Sequence, residues 1–100
     1  IGLELAIPLL LRLVESNRLD LGWLIDRLST APARLFNLPG GRLRPGSPAD
    51  IVVIDPNREW TVSRDTIASR SLNTPLLGMK VRGAAIATIV GGEVRYLAEF

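Results

Sequence analysis

The sequence predicts an α+β chain in which the helices come first and the strands follow. Three observations carry that reading. Apolar residues recur at i, i+3, i+4 and i+7 through residues 5 to 16 and again from Leu21, which is the spacing of a helix face. Ile51-Val52-Val53-Ile54 is an unbroken β-branched run, and Gly91-Gly92 separates two further β-rich stretches. Between the halves, Pro39-Gly40-Gly41 has the turn chemistry of a boundary, so the chain divides into a helical unit over residues 1–38 and a strand-and-turn unit over residues 39–100.

In the first helix Ile7, Leu10, Leu11 and Val14 share one face while Leu5, Leu9 and Leu13 fill the other, so the helix is expected to be buried on most sides. Pro8 falls in its first turn, where a missing N–H has no intrahelical partner to lose. Asp20 is placed to cap a second helix with Leu21, Leu24, Ile25 and Leu28 on one side, ending near Ser29. Thr30 then caps a short third helix from Ala31 to Phe36, with Pro32 in its first turn and Gly40 stopping the run. Beyond the boundary, residues 51–54 read as a short strand buried on both faces and Trp60-Thr61-Val62 as a second. Residues 63–67 begin like a capped helical turn, residues 70–83 look irregular, and residues 84–90 and 93–97 form a hairpin through Gly91-Gly92.

Bulk properties narrow the function classes. Twelve basic residues are interspersed with ten acidic ones for a net charge of +2, so no stripe is available to track phosphates and no nucleic-acid partner is expected. Glu4, Arg12 and Glu15 interrupt the most apolar stretch well short of the ~20 residues that span a bilayer, so no membrane association is expected either. The start lacks a basic region followed by a small-residue cleavage site, and the absence of Cys fits a cytoplasmic protein. Histidine is absent too. With neither His nor Cys, only carboxylates remain as strong zinc ligands, whereas catalytic zinc sites ordinarily include nitrogen or sulfur donors. A hydrophobic content of 47% in 100 residues is high, and it predicts self-association through exposed apolar helices or β edges.

Three segments share features with one enzyme family. The first is Thr30-Ala31-Pro32-Ala33-Arg34-Leu35-Phe36 followed by G-x-L-x-x-G-x-x-A-D at Gly41, Leu43, Gly46, Ala49 and Asp50 and then the apolar strand, a pattern that resembles the amidohydrolase superfamily. These residues read as structural: Gly46 allows a tight turn, and Asp50 can accept hydrogen bonds from the turn's backbone amides. The second is Ser71, Asn73, Thr74, Pro75, Gly78 and Gly83, continuing to Thr88-Ile89-Val90 and Gly92, which is similar to the S-x-N-T-P-x-x-G-x-x-x-x-G pattern of bacterial dihydroorotases. Leu76 departs from the aromatic that many of them carry after this proline, and a capped turn is the plain physical reading of Asn73-Thr74-Pro75. The third is Gly2-Leu3-Glu4-Leu5-Ala6-Ile7-Pro8-Leu9, which resembles the stretch following the active-site loop in that family. By this resemblance Gly2 and Glu4 lie near the substrate of the whole enzyme; as a plain sequence feature Glu4 is an acidic residue favoured at a helix N-terminus.

The resemblance implies a (β/α)8 barrel, which needs ~250 residues, together with a small β-sandwich built from both chain ends. This chain would supply the terminal barrel helices over residues 4–38 and the carboxyl-terminal sandwich strands over residues 42–97. It further implies zinc-dependent interconversion of L-dihydroorotate and N-carbamoyl-L-aspartate, with the metal ligands and the catalytic Asp outside these residues. No catalytic residue and no metal ligand is therefore expected on this chain, and the chain by itself is expected to be an inactive fragment. Other readings stay open: an allantoinase- or hydantoinase-type enzyme, a non-catalytic dihydroorotase-like subunit that scaffolds aspartate transcarbamoylase, and an independent interaction module.

Overall fold

A computed structural model describes residues 3–71 and 73–98. A 3-10 turn, Leu3–Leu5, leads into α1 (Ala6–Glu15), and a second helical stretch runs from Leu21 to Leu35. Three antiparallel strands follow, β1 (Ile51–Thr61), β2 (Lys80–Val90) and β3 (Glu93–Leu97), in the spatial order β1-β2-β3.

Asp20 caps the second helical stretch as its position predicts, its Oδ2 accepting from the Trp23 N–H at 3.1 Å. The expected break at Ser29-Thr30 is absent. The stretch is continuous, with α2 (Leu21–Ile25) joined to α3 (Ala31–Leu35) by a π-helical turn over Asp26–Thr30. Pro32 accounts for the widening: it has no N–H to give to Leu28, and its ring crowds that carbonyl in a regular α-helix. The Ala31 N–H reaches back five residues to the Asp26 carbonyl instead. Thr30 is consequently helical and caps nothing; its hydroxyl donates to the Gly41 carbonyl at 2.9 Å. Nor does Gly40 stop the helix. Asn37 does so with φ of 54°, and the Leu38 N–H closes onto the Ala33 carbonyl at 2.7 Å.

In the sheet, the two short strands expected at 51–54 and 60–62 are one, carried through Asp55-Pro56-Asn57 by an irregularity between Asp55 and Glu59 in the pairing with β2. The Asn57 N–H donates to Asp55 Oδ1 at 2.9 Å across the kink. Pairing with the end of β1 also draws residues 80–83, expected to be irregular, into β2. The Gly91-Gly92 hairpin forms as expected. Burial of Ile51–Ile54 on both faces is not observed: Val52 and Val53 remain 49% and 43% exposed, because β1 is the edge strand of the described sheet and no second layer covers it.

The core sits where the first turn meets the far end of β1. Leu5, Val62, Ile67 and Val81 are buried there, with Leu9, Trp60, Leu76 and Met79 packed around them. Along α1, Pro8 and Leu11 are buried and the remaining leucines are half-buried, so the helix is covered less fully than its all-round apolar pattern predicts. Gly83 lets α1 lie against β2. Its φ of 106° is one that L side chains rarely adopt, and a Cβ there would come within 2.5 Å of Leu11 Cδ1. Trp60 reinforces the contact through its Nε1–H, which donates to the Gly83 carbonyl at 3.0 Å. On the outer surface, Arg82 pairs with Glu59 at 3.1 Å and Glu15 at 3.4 Å, joining α1 to both long strands. Among the described residues, no helix is long and apolar enough to cross a membrane.

Candidate functional site

Two recesses flank the layer of helices and strands. One is an apolar groove of about 550 Å³ between α1, α2 and the start of β1, walled by Ile7, Leu10, Leu24, Leu28, Ile51 and Ile54. The other is a mixed cleft of about 610 Å³ beside the core, whose walls include Glu4, Arg58, Trp60, Asp65, Thr66 and Tyr96. Its volume is within the range of small-molecule sites. It is also where the structure puts Glu4.

Glu4 lies in the turn ahead of α1, and its carboxylate is engaged with a loop far along the chain. The Ala68 N–H donates to Oε2 at 2.7 Å and the Ser69 N–H to Oε1 at 3.1 Å. Neither of the two roles expected of Glu4, a contact near the substrate or a favourable charge at a helix terminus, includes this partner. Hydrogen bonding from the Ser69 side chain, and next from the Ala68 amide, holds the Glu4 carboxyl below its ordinary value of 4.5 against a weaker opposing desolvation. A depressed carboxyl stabilises the fold above its unfolded pKa and loses that contribution as pH falls through the folded value. The Ala68 and Ser69 amide resonances are therefore expected to stay constant through neutral pH and to move together only in acid, below the ordinary glutamate range. Titration of the two amides by NMR checks this, and movement near neutrality would contradict it. Gly2 lies outside the described residues.

The residues of the G-x-L-x-x-G-x-x-A-D segment converge on packing and turn contacts. Gly41 sits against the second helical stretch, and a Cβ there would meet Ala33 Cβ at 2.6 Å and the Ser29 carbonyl at 3.1 Å. Gly46 lies in the open turn closed by the Ser47 N–H on the Arg44 carbonyl at 3.0 Å. Asp50 does not bind its own turn. Its Oδ1 accepts from the Gly91 N–H at 2.8 Å, and the Ala49 carbonyl accepts from the Gly92 N–H at 3.0 Å, so the start of β1 is stapled to the β2–β3 hairpin. Asp50→Ala should leave the Gly91 amide to solvent and cost about 1 kcal/mol, whereas Asp50→Asn keeps an acceptor and should cost less. Amide exchange at Gly91 separates the two, and equal protection in both variants would remove the staple from the account.

The second segment forms a capped turn. The Leu76 N–H donates to Thr74 Oγ1 at 3.3 Å and the Asn73 N–H to Ser71 Oγ at 3.1 Å; Pro75 opens the turn, the Met79 N–H closes onto the Leu76 carbonyl at 2.9 Å, and the Gly78 N–H ties the turn to the Val62 carbonyl at 2.7 Å. Gly83 and Gly92 stand some distance on, in β2 and in the hairpin turn. The structure thus brings Glu4 to the loop that precedes Asn73, and Ala49 and Asp50 to Gly92 and Gly91 of the hairpin, while Gly41 packs elsewhere on the helices. The sequence does not reveal the partners of Trp60, Thr30 and Arg82, which lie at Gly83, at Gly41 and at Glu15 and Glu59.

Zinc does not fit these residues. The chain has no His or Cys, and among the described residues no three carboxylates cluster closely enough to hold an ion. What the chain offers is carboxylates that organise backbone amides.

Residues 12–96 match the family model described as "Amidohydrolase family". The chain is 51% identical over 96 residues to a dihydroorotase of Geobacter metallireducens, covering 96% of this chain and 23% of that protein. It is 47% identical over 94 residues to a dihydroorotase of Geotalea daltonii, covering 94% of this chain and 22% of that protein. Among solved structures, the L-hydantoinase (dihydropyrimidinase) from Arthrobacter aurescens superposes with a TM-score of 0.86 at 33% identity, over 97% of this chain and 22% of that one. This chain thus spans less than a quarter of the length of the relatives it matches.

Proposed function

We propose, on the premise that this chain belongs to the amidohydrolase family, that it is the non-catalytic carboxyl-terminal part of a cyclic amidohydrolase, and specifically of a dihydroorotase. The whole enzyme would open L-dihydroorotate to N-carbamoyl-L-aspartate and close it again, in the cytoplasm and in pyrimidine synthesis. The observation that carries the reading is the dihydroorotase similarity, 51% over nearly the whole chain, in a sequence without His or Cys. The polar side chains that the fold organises serve turns and loops, as a supporting segment requires. Zinc, where the enzyme uses it to activate water, would be held by residues elsewhere in the polypeptide, as would the catalytic Asp.

The same reading gives the helices of residues 3–35 to the outside of a barrel and the three strands to a composite sandwich. Its support is the exposure of apolar side chains on both elements, among them Leu21, Ile25, Leu28 and Leu35 on the helices and Val52, Val53, Val94 and Leu97 on the strands. Isolated from further polypeptide, these surfaces would drive self-association, which light scattering would detect; a strict monomer at high concentration would count against it. A hydantoinase is the second reading, favoured by the L-hydantoinase superposition. The test is the full-length polypeptide assayed with zinc against dihydroorotate, hydantoin and allantoin. Ring opening of dihydroorotate far faster than of the other two is expected. A preference for hydantoin or allantoin would select that class instead, and no turnover of any cyclic amide would leave the dihydroorotase-like subunit, with its aspartate transcarbamoylase scaffolding, as the surviving reading.

A further inference from the structure

The Glu4 carboxylate joins two segments that the sequence keeps far apart. Residues 63–67 are held at one end by Thr66, whose hydroxyl accepts from the Ser63 N–H and donates to the Thr61 carbonyl, both at 2.8 Å. Residues 74–79 are held at the other by the Thr74 cap and by two bonds to Val62, at 2.7 Å from the Gly78 N–H and 2.9 Å to the Met79 carbonyl. Between these anchors, among the described residues, residues 68–71 are tied to another part of the fold by hydrogen bonds from Ala68 and Ser69 to Glu4, the two backbone amides among them. The latch closes beside the core, where Leu5 and Ile67, the neighbours of Glu4 and Ala68, are both buried. It also forms part of the wall of the mixed cleft, which both Glu4 and Ala68 line.

We infer that Glu4 is a positioning residue, a latch that holds the loop carrying Ser71, Asn73 and Thr74 against the first turn and so sets one wall of the adjoining cleft. A carboxylate suits the task because each of its oxygens accepts from one of two consecutive N–H groups, and it has no proton of its own to set against them. Both oxygens already accept from backbone amides, which fixes the carboxylate's orientation toward the loop. The consequence for turnover rests on the amidohydrolase reading, in which the first turn adjoins the reaction chamber: loosening the loop then weakens substrate binding without removing a group from the reaction.

The experiment compares Glu4→Ala and Glu4→Gln with the parent in the full-length polypeptide, by hydrogen exchange of peptides covering residues 66–71 and 80–90 and by kinetics on dihydroorotate. In Glu4→Ala, exchange at 66–71 should rise about tenfold or more while 80–90 is unchanged. Glu4→Gln should fall between, because its amide offers one acceptor and turns an N–H toward the other donor. KM should rise several-fold with kcat nearly preserved, whereas a catalytic acid or base would lose ~10²–10⁴ in kcat. Unchanged exchange at 66–71 in both variants overturns the latch, and a kcat loss of that size in Glu4→Gln with 80–90 still protected overturns its confinement to positioning. If Glu4→Ala unfolds throughout, Glu4→Gln decides by the same two measures. A parent polypeptide with no activity defeats the functional reading alone, and exchange then decides the latch.

Discussion

Gly41→Ala is expected to destabilise the chain by about 2–5 kcal/mol, combining ~1–2 kcal/mol for a side chain in the left-handed region with ~1–3 kcal/mol of overpacking. The new Cβ would stand 2.6 Å from Ala33 Cβ and 3.1 Å from the Ser29 carbonyl, and neither atom has a rotamer by which to retreat. The segment would have to leave the helix, taking with it the hydrogen bond from Thr30 to the Gly41 carbonyl. Gly46→Ala is the matched control. Its φ of 88° is nearly that of Gly41 at 86°, yet nothing lies within 4 Å of a Cβ there, so it should show the backbone cost alone. Urea unfolding of the two variants, followed by far-ultraviolet circular dichroism, gives the packing contribution by difference. Equal midpoints would mean that Gly41 matters for its backbone conformation and not for its contact. Since small domains are stable by only ~5–15 kcal/mol, the expected loss is a large share of the total.

The second expected result is an absence of catalysis. Residues 1–100 alone, purified and assayed for dihydroorotate hydrolysis with and without added zinc, should show no turnover above that of buffer. Metal-assisted hydrolysis needs an ion held with an open coordination position and a water it can activate. This chain has no imidazole or thiolate, and its described carboxylates form no cluster of three. Both oxygens of Glu4 and one oxygen of Asp50 accept from backbone amides. Zinc-dependent turnover that co-purifies with the chain would overturn this account of it as a supporting segment. Restoration of activity only when the remainder of the polypeptide is present would agree with it.

Asp20, the Gly91-Gly92 hairpin and the capped turn at Thr74-Pro75 were legible because each is settled within a few residues. A side-chain oxygen finds an amide three positions on, or two glycines supply the positive φ of a tight turn. Pro32 is visible in the sequence, but whether it separates the second and third helices is not. A proline can be accommodated either by ending a helix or by widening it, and local chemistry does not choose between the two. The continuity of β1 is hidden in the sequence for a similar reason. Asp55-Pro56-Asn57 reads as a turn, and only pairing with β2 on either side of it carries the strand across.

By itself, then, the sequence determined the order of helices before strands, the turns that punctuate them and the family to which the chain is similar. It also excluded a histidine or cysteine zinc site on these residues, since that follows from composition alone. Tertiary structure alone decided which amides the two carboxylates hold. Glu4 meets Ala68 across 64 positions and Asp50 meets Gly91 across 41. A carboxylate carries no mark of its partner in the residues beside it, because the partner is chosen by how the turn, the helix and the sheet pack.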